Sequence, residues 1–170
     1  MRILETARLE LRRMTPADAP LILALLNDPG FLRFIGDKGV RTLADAAAYI
    51  ERGPLASYAQ HGFGLWLVTL KDGGTAIGMC GLIKREGLDD VDIGFAYLPQ
   101  FCGRGYATEA AAATLHHGRT VLGLKRIVAI TAPDNAASAN VLRKIGLRHT
   151  RTLRLPALQT DSLLFTPPEA

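Results

Sequence analysis

The sequence predicts one mixed α/β (α+β) domain, built on a mostly antiparallel sheet of about seven strands flanked by about four helices. Three observations carry that expectation. Residues 63–98 hold three apolar, β-rich runs parted only by short turn signals, the pattern of an antiparallel meander. Helix-period segments stand on both sides of it, at 15–26 and 42–58 before and from 107 to near 123 and 136–145 after. A pair of strand-like runs, 147–155 and 158–165, closes the chain as a hairpin.

Each element has a local cause. Residues 8–14 alternate apolar and polar side chains, the period of a half-buried strand. Thr15 then caps a helix, Pro16 suits its first position and Asp18 its first turn. Leu21, Ile22, Leu25 and Leu26 give that helix its apolar face, and Asn27-Asp-Pro-Gly30 stops it. The helical region 42–58 contains Gly53-Pro54, which must kink or divide it, because proline lacks an N–H and collides with the preceding turn. Lys71-Asp-Gly-Gly74 is a hairpin turn between strands 63–70 and 76–84. A polar turn at 85–90 leads into the third strand, 91–98, where Gly94 predicts a bulge or a close approach by another backbone or a ligand. The Ala-rich run from Ala107 is a strong helix former, and 126–131 is a short strand. Asp134-Asn135 opens the last helix and Gly146 closes it. No linker divides 1–166, and 167–170 is expected to fray.

Composition narrows the function. Of 170 residues, 48% are apolar and 21% charged, which excludes a disordered chain. The longest apolar run, 20–26, is far short of the ~20 residues a membrane span needs. Charges near the N-terminus exclude a signal peptide, so a cytoplasmic protein is expected. Cys80 reads as core and Cys102 as loop, and His61, His116, His117 and His149 lack metal-ligand spacing, so no metal is expected. The net charge of +4 comes from scattered basic residues, and only 6% of residues are aromatic. Nucleic acid is therefore not the expected partner, and the excess suits a small polyanionic ligand.

The chemistry-bearing segment is strand 91–98 followed by Cys102-Gly-Arg-Gly-Tyr-Ala107 and a helix. A helix start leaves backbone N–H groups free at the positive end of the macrodipole, and glycines let a phosphate approach them. Arg104 adds a cation. The same glycines also serve a plain structural turn. No Gly-Lys-Ser/Thr follows and the three-glycine dinucleotide spacing is missing, so neither a Walker loop nor a Rossmann fingerprint fits.

The run from Ile93 to Ala110, Ile-Gly-Phe-Ala-Tyr-Leu-Pro-Gln-Phe-Cys-Gly-Arg-Gly-Tyr-Ala-Thr-Glu-Ala, resembles the acetyl-CoA motif of the GNAT superfamily of N-acetyltransferases. It is most similar to the branch containing the bacterial ribosomal-protein N-terminal acetyltransferases. Thr6-Ala-Arg-Leu-Glu-Leu-Arg12 resembles that branch's opening strand, and Asn135 to Leu147 its Asn-x-x-Ser helix. Aligned on Pro99, the motif falls on Cys102, Gly105 and Ala107, with Cys102 a departure from the usual residue. The resemblance implies the GNAT fold and acetyl-CoA as cosubstrate. The Phe95-Ala96-Tyr97 edge would pair with the pantetheine amides, and the N–H groups of Gly103, Arg104, Gly105, Tyr106, Ala107 and Thr108 would hold the pyrophosphate. Asn135 would bond the pantetheine arm as well as cap its helix, with Asn140 a second contact.

It implies, further, acetyl transfer to a primary amine by direct attack in a ternary complex. The acceptor would be a protein N-terminus or a small molecule, and a homodimer is common in the family. Acetyl transfer needs a neutral amine, a polarised carbonyl and a proton for the departing thiolate. A backbone N–H at the bulged strand can polarise the carbonyl. Asp92 and Glu86 are the candidate bases, each with a solvated surface charge as its plain alternative. Relatives' glutamate position is Ile130 here, which favours a water chain, and their tyrosine acid is Leu142, leaving Ser138 as candidate acid, with a helix-start hydrogen bond to backbone as its plain alternative. An antibiotic- or polyamine-modifying acetyltransferase and a non-catalytic acyl-CoA-binding module are the alternatives. The segments 36–39 and 56–64 are expected to flank the acceptor pocket.

Overall fold

The computed structural model describes residues 1–158 and 160–168. Of the tail expected to fray, residues 169 and 170 lie outside the described residues. The strands are β1 (Arg2–Glu5), β2 (Leu9–Arg12), β3 (Leu65–Leu70), β4 (Ala76–Ile83), β5 (Val91–Tyr97), β6 (Ile127–Thr131), β7 (Arg148–Leu153) and β8 (Ser162–Thr166). The α-helices are α1 (Ala19–Leu26), α2 (Pro29–Phe34), α3 (Leu43–Ile50), α4 (Ala56–His61), α5 (Tyr106–Thr120) and α6 (Ala136–Lys144). The sheet runs β1-β2-β3-β4-β5-β6-β8-β7, and every neighbouring pair is antiparallel except β5 and β6. This is the mixed, mostly antiparallel α/β sheet the sequence predicts, with one strand and two helices more than expected.

Each addition has a physical reason. Strand β1 is four residues long, too short for a period to show, and it forms by pairing Leu4 and Glu5 with Leu11 and Glu10. The segment read as a helix stop at 27–30 is also a start. The Asp28 side chain accepts from the Gly30 and Phe31 N–H groups at 3.0 and 3.3 Å, Pro29 takes the first position, and α2 follows. Gly53-Pro54 divides the 42–58 region as expected, through a wide π-turn over Glu51–Leu55 that passes into α4. At the chain's end β7 and β8 pair, but β8 begins at Ser162 and inserts between β6 and β7.

Both faces of the sheet are covered, so β3 (Leu-Trp-Leu-Val-Thr-Leu) is apolar almost throughout. Trp66 and Val68 point into the core under α5 and α6, while Leu67 packs with Met79 against α1 and α3. Helix α5 presents Ala110, Ala111, Thr114, Leu115 and Gly118 to the sheet. A Cβ at Gly118 would stand 2.7 Å from Ile127 Cδ1, so glycine lets α5 lie close over β6. Among the described residues no helix is long and apolar enough to cross a membrane.

The expected bulge at Gly94 is absent. The β4–β5 register runs without a shift from Gly78–Tyr97 to Ile83–Asp92, and Gly94 faces Gly81. Nor does another backbone crowd Gly94: the atoms nearest a Cβ there are side-chain carbons, Ile83 Cδ1 at 3.0 Å and Leu65 Cδ2 at 3.8 Å. The irregularity lies on the other edge of β5. Strand β6 pairs with it only at Val91–Ile127 and Asp92–Val128, then diverges, and the sheet opens into a cleft.

Candidate active site

The cleft opens where β5 and β6 part. Its volume is about 850 Å³, and its walls include Gly94 and Phe95 of β5, Ile130 and Thr131 of β6, and Asn135 and Ser138 of α6. Strand geometry decides which backbone groups face it. The Leu98 N–H donates to Ile77 O in β4 at 3.0 Å. Backbone groups alternate in direction along an antiparallel strand, so those of Ala96 and Gly94 also turn to β4, while those of Phe95 and Tyr97 turn to the open side. Phe95 and Tyr97 therefore carry an unpaired edge that an amide-bearing chain can extend as a strand would.

Beyond this edge the chain passes a single turn of 3-10 helix, Pro99–Phe101, and enters the glycine loop. Gly103 and Gly105 have φ of 76° and 83°, the left-handed region that glycine adopts without strain. A Cβ at Gly103 would meet nothing within 4 Å. Gly105 is the residue before α5, and the first helical bond runs from the Glu109 N–H to Gly105 O at 3.0 Å. The six N–H groups from Gly103 through Thr108 have no hydrogen-bond acceptor among the described residues. They leave a run of free donors at a helix start, and an anionic pyrophosphate suits it in charge and hydrogen bonding.

Arg8 is held against this loop, a cation not singled out from the sequence. Its Nε donates to Glu109 Oε1 at 2.7 Å, its Nη1 to Arg104 O at 3.1 Å, and its guanidinium lies 4.4 Å from the Tyr106 ring centre. The Thr6 hydroxyl also donates to Glu109. Burial alone would raise the Glu109 pKa, but the Thr6 and Arg8 bonds outweigh it and hold the carboxyl below its ordinary value. Glu109 thus fastens β2's start to α5, a role beyond complementing the helix dipole. The Arg104 side chain itself has no ion-pair partner among the described residues.

The remaining candidates separate clearly. Asp92 lies in the cleft wall with no exposed surface, and both its oxygens accept from Arg85 Nε, at 3.0 and 3.1 Å. Burial pushes its pKa up to about 6, against the opposing pull of Arg85. Glu86 is exposed in the turn after β4 and does not line the cleft. Ser138 and Asn135 both line it, and Asn135 Oδ1 accepts from the Ser138 N–H at 3.2 Å, so the helix cap leaves the Asn135 amide nitrogen free toward the cleft. Asn140 is exposed, accepts from Arg143 Nη1 at 3.3 Å, and lies away from the cleft. Of the two stretches expected to flank an acceptor, Gly36, Asp37 and Lys38 line the cleft from a loop, and Ala56, Ser57 and Gln60 line it from α4.

An open strand edge leading directly into a ring of unpaired amides is a distinctive arrangement, and comparison with known proteins agrees with it. The profile of the acetyltransferase (GNAT) domain matches residues 8–148. The chain belongs to the GNAT acetyltransferase family. It is 31% identical over 143 residues to an uncharacterised N-acetyltransferase, YnaD, of Bacillus subtilis (strain 168), covering 84% of this chain and 81% of that protein. Among solved structures it is similar to an acetyltransferase from Agrobacterium tumefaciens str. C58, with 25% identity and a TM-score of 0.82 over 98% of this chain and 94% of that one. It shares the fold of Mycobacterium smegmatis RimJ, solved in complex with CoA-disulfide, at 23% identity and a TM-score of 0.77 over 93% and 80% of the two chains. As a GNAT acetyltransferase, the chain is an acyltransferase in class.

Proposed function

We propose that this chain transfers an acetyl group from acetyl-CoA to a primary amine by direct attack in a ternary complex. The observation that carries the reading is the continuity of the Phe95–Tyr97 edge with the amides of Gly103 to Thr108. An amide-containing arm would lie along the first while its pyrophosphate meets the second. CoA in the RimJ neighbour supports the cosubstrate.

Acetyl-CoA supplies the acyl group as a thioester. The Phe95 N–H, on the open edge, donates to the carbonyl oxygen as negative charge develops there. The amine nitrogen bonds to the carbonyl carbon, the carbon–sulfur bond breaks, and the thiolate leaves with a proton. Asp92 is the candidate base of the two carboxylates, because it lines the cleft and Glu86 does not. A pKa of about 6 suits a base working near neutral pH. The Asp92 side chain is only 1% exposed, so it takes the amine proton through water rather than by direct contact. The Ser138 hydroxyl, in the wall on α6, is the candidate donor to the thiolate.

The test pairs a thermal-shift titration with CoA and a thiol-release assay across an amine panel. Stabilisation by CoA with thiol release on at least one amine is expected. Stabilisation without release on any acceptor would favour an acyl-CoA-binding module. Ser138→Ala is expected to lower kcat by roughly 100-fold or more, the loss of one proton donor, and a full-rate variant would remove Ser138 from the mechanism.

A further inference from the structure

The cleft charges bear on the acceptor. Among the described residues three carboxylates line it, and each is already paired with an arginine: Asp37 with Arg41, Asp92 with Arg85, and Asp161 with Arg154. On the cation side, Lys38, Arg52 and Lys84 line the cleft with no carboxylate in ion-pair reach among the described residues. A polycationic acceptor would find no free carboxylate among these residues and three unneutralised cations.

Arg85 is the most constrained of these cations. It enters the cleft from the turn after β4, and its side chain is 30% exposed. Only Nε is engaged, in the two bonds to buried Asp92. Its Nη1 and Nη2 have no hydrogen-bond partner among the described residues. A guanidinium fixed through Nε by a buried carboxylate presents the rest of its fork with little freedom left to lose, which suits bidentate carboxylate recognition. Lys38, on the loop before α3, is exposed overall and also lines the cleft, near enough to Arg85 that this charge, after partial burial, lowers its ammonium pKa.

We propose that Arg85 and Lys38 form a carboxylate-recognition site, and that the acceptor is a small amine of amino-acid type carrying a carboxylate. The proposal rests on the acetyl-transfer reading for the identity of the reaction but not for the site. Asp92 is three residues before Phe95, roughly 10 Å along the strand, so one small molecule can place its carboxylate on the Arg85 fork and its amine near the acyl carbon. A cleft of about 850 Å³ has the capacity for a ligand of that size beside an acyl arm. Asp92 then has two partners in one geometry: it positions Arg85 and receives the amine proton through water.

The experiment uses the full chain saturated with CoA. Binding of N-acetyl-alanine, N-acetyl-β-alanine and N-acetyl-γ-aminobutyrate is measured by calorimetry, each beside its own carboxamide. At least one carboxylate is expected to bind about 10- to 100-fold more tightly than its amide, the value of charged hydrogen bonds over neutral ones. Lys38→Met, a change at an exposed position, is expected to cut that ratio several-fold. Arg85→Gln alone strands a buried carboxylate and can unfold the chain, so it is combined with Asp92→Asn, and this pair is expected to erase the ratio. Equal binding within all three pairs overturns the site, as does a ratio that survives both variants. In the thiol-release assay, preference for a polyamine or for a C-terminally blocked peptide over the free amino acids also overturns it. Carboxylate-selective binding with no thiol release on any amine upholds the site and removes the transferase reading instead.

Discussion

Asp92 couples pH to both stability and rate. Its ordinary pKa of 3.8 rises to about 6 on folding, chiefly because burial penalises the charged form. Between those values the folded chain holds a proton that the unfolded chain has lost. The group's contribution to stability is therefore full below about pH 3.8 and is lost as pH rises through about 6. Other carboxylates titrate the opposite way, since Asp18, despite burial, is held below its ordinary value by Arg12 and Thr15. The measurement is thus a difference: urea unfolding of wild type and Asp92→Asn from about pH 4 to 8. The wild type's stability relative to the variant is expected to fall up to about pH 6 and stay level above it. A difference that is flat throughout would contradict the burial argument. If Asp92 also receives the amine proton, kcat/KM of the wild type rises through about pH 6 and the variant loses that inflection. The sequence put Asp92 forward as a candidate base by its place on the strand. Its tie to Arg85 needs the turn geometry, and the tie between Arg8 and Glu109 spans 101 residues, so neither could be read from spacing.

At the scale of elements, the turn chemistry was legible in the residues, and the strand edge came only with the family resemblance. Gly103 and Gly105 stand in left-handed backbone at the start of α5, where the run of glycines before an Ala-rich helix predicts it. The same reading took Gly94 for a bulge or a point of close approach, because a glycine inside a strand signals irregularity without saying which edge bears it. The parting of β5 from β6 depends on a strand thirty residues away, whose pairing no local pattern reports. Likewise Asp28-Pro29 reads equally as the end of one helix or the start of the next, and it serves both. The loop can be tested apart from the fold. Gly103→Asp adds a side chain where no atom lies within 4 Å, at a left-handed site that aspartate tolerates for roughly 1 kcal/mol. Its charge would face the amide set, so CoA affinity is expected to drop at least about tenfold, with only a small change in melting temperature. Gly105→Val is the harsher change, since its Cβ would stand 3.3 Å from Arg8 Nη2 as well as in strained backbone. Unchanged CoA affinity in both variants would rule out the loop as the phosphate cradle.

For the whole molecule, the consequence of the split sheet is that ligand binding and fold stability share one seam. Strands β1 to β5 form a continuous antiparallel half, and β6, β8 and β7 form the other. Two residue pairs join the halves across β5 and β6, with α5 packed over the junction. A chain laid along Phe95 and Tyr97 replaces the missing pairing and bridges both halves. Any ligand that binds only the folded state adds RT ln(1 + [L]/Kd), about 2.7 kcal/mol at a hundredfold excess over Kd. At roughly 2–4 °C per kcal/mol for a chain of this size, CoA is expected to raise the melting temperature by about 5–10 °C. Hydrogen exchange locates the source of that gain. The Phe95 and Tyr97 amides and those of Gly103 through Thr108 are expected to exchange quickly without CoA and to slow when it is added. Protection should extend into Ile127–Thr131, because closing the seam steadies the shorter half of the sheet. A rise in melting temperature with no protection at Phe95 and Tyr97 would mean that CoA binds elsewhere on the molecule, and the strand-edge account of the site would fall with it.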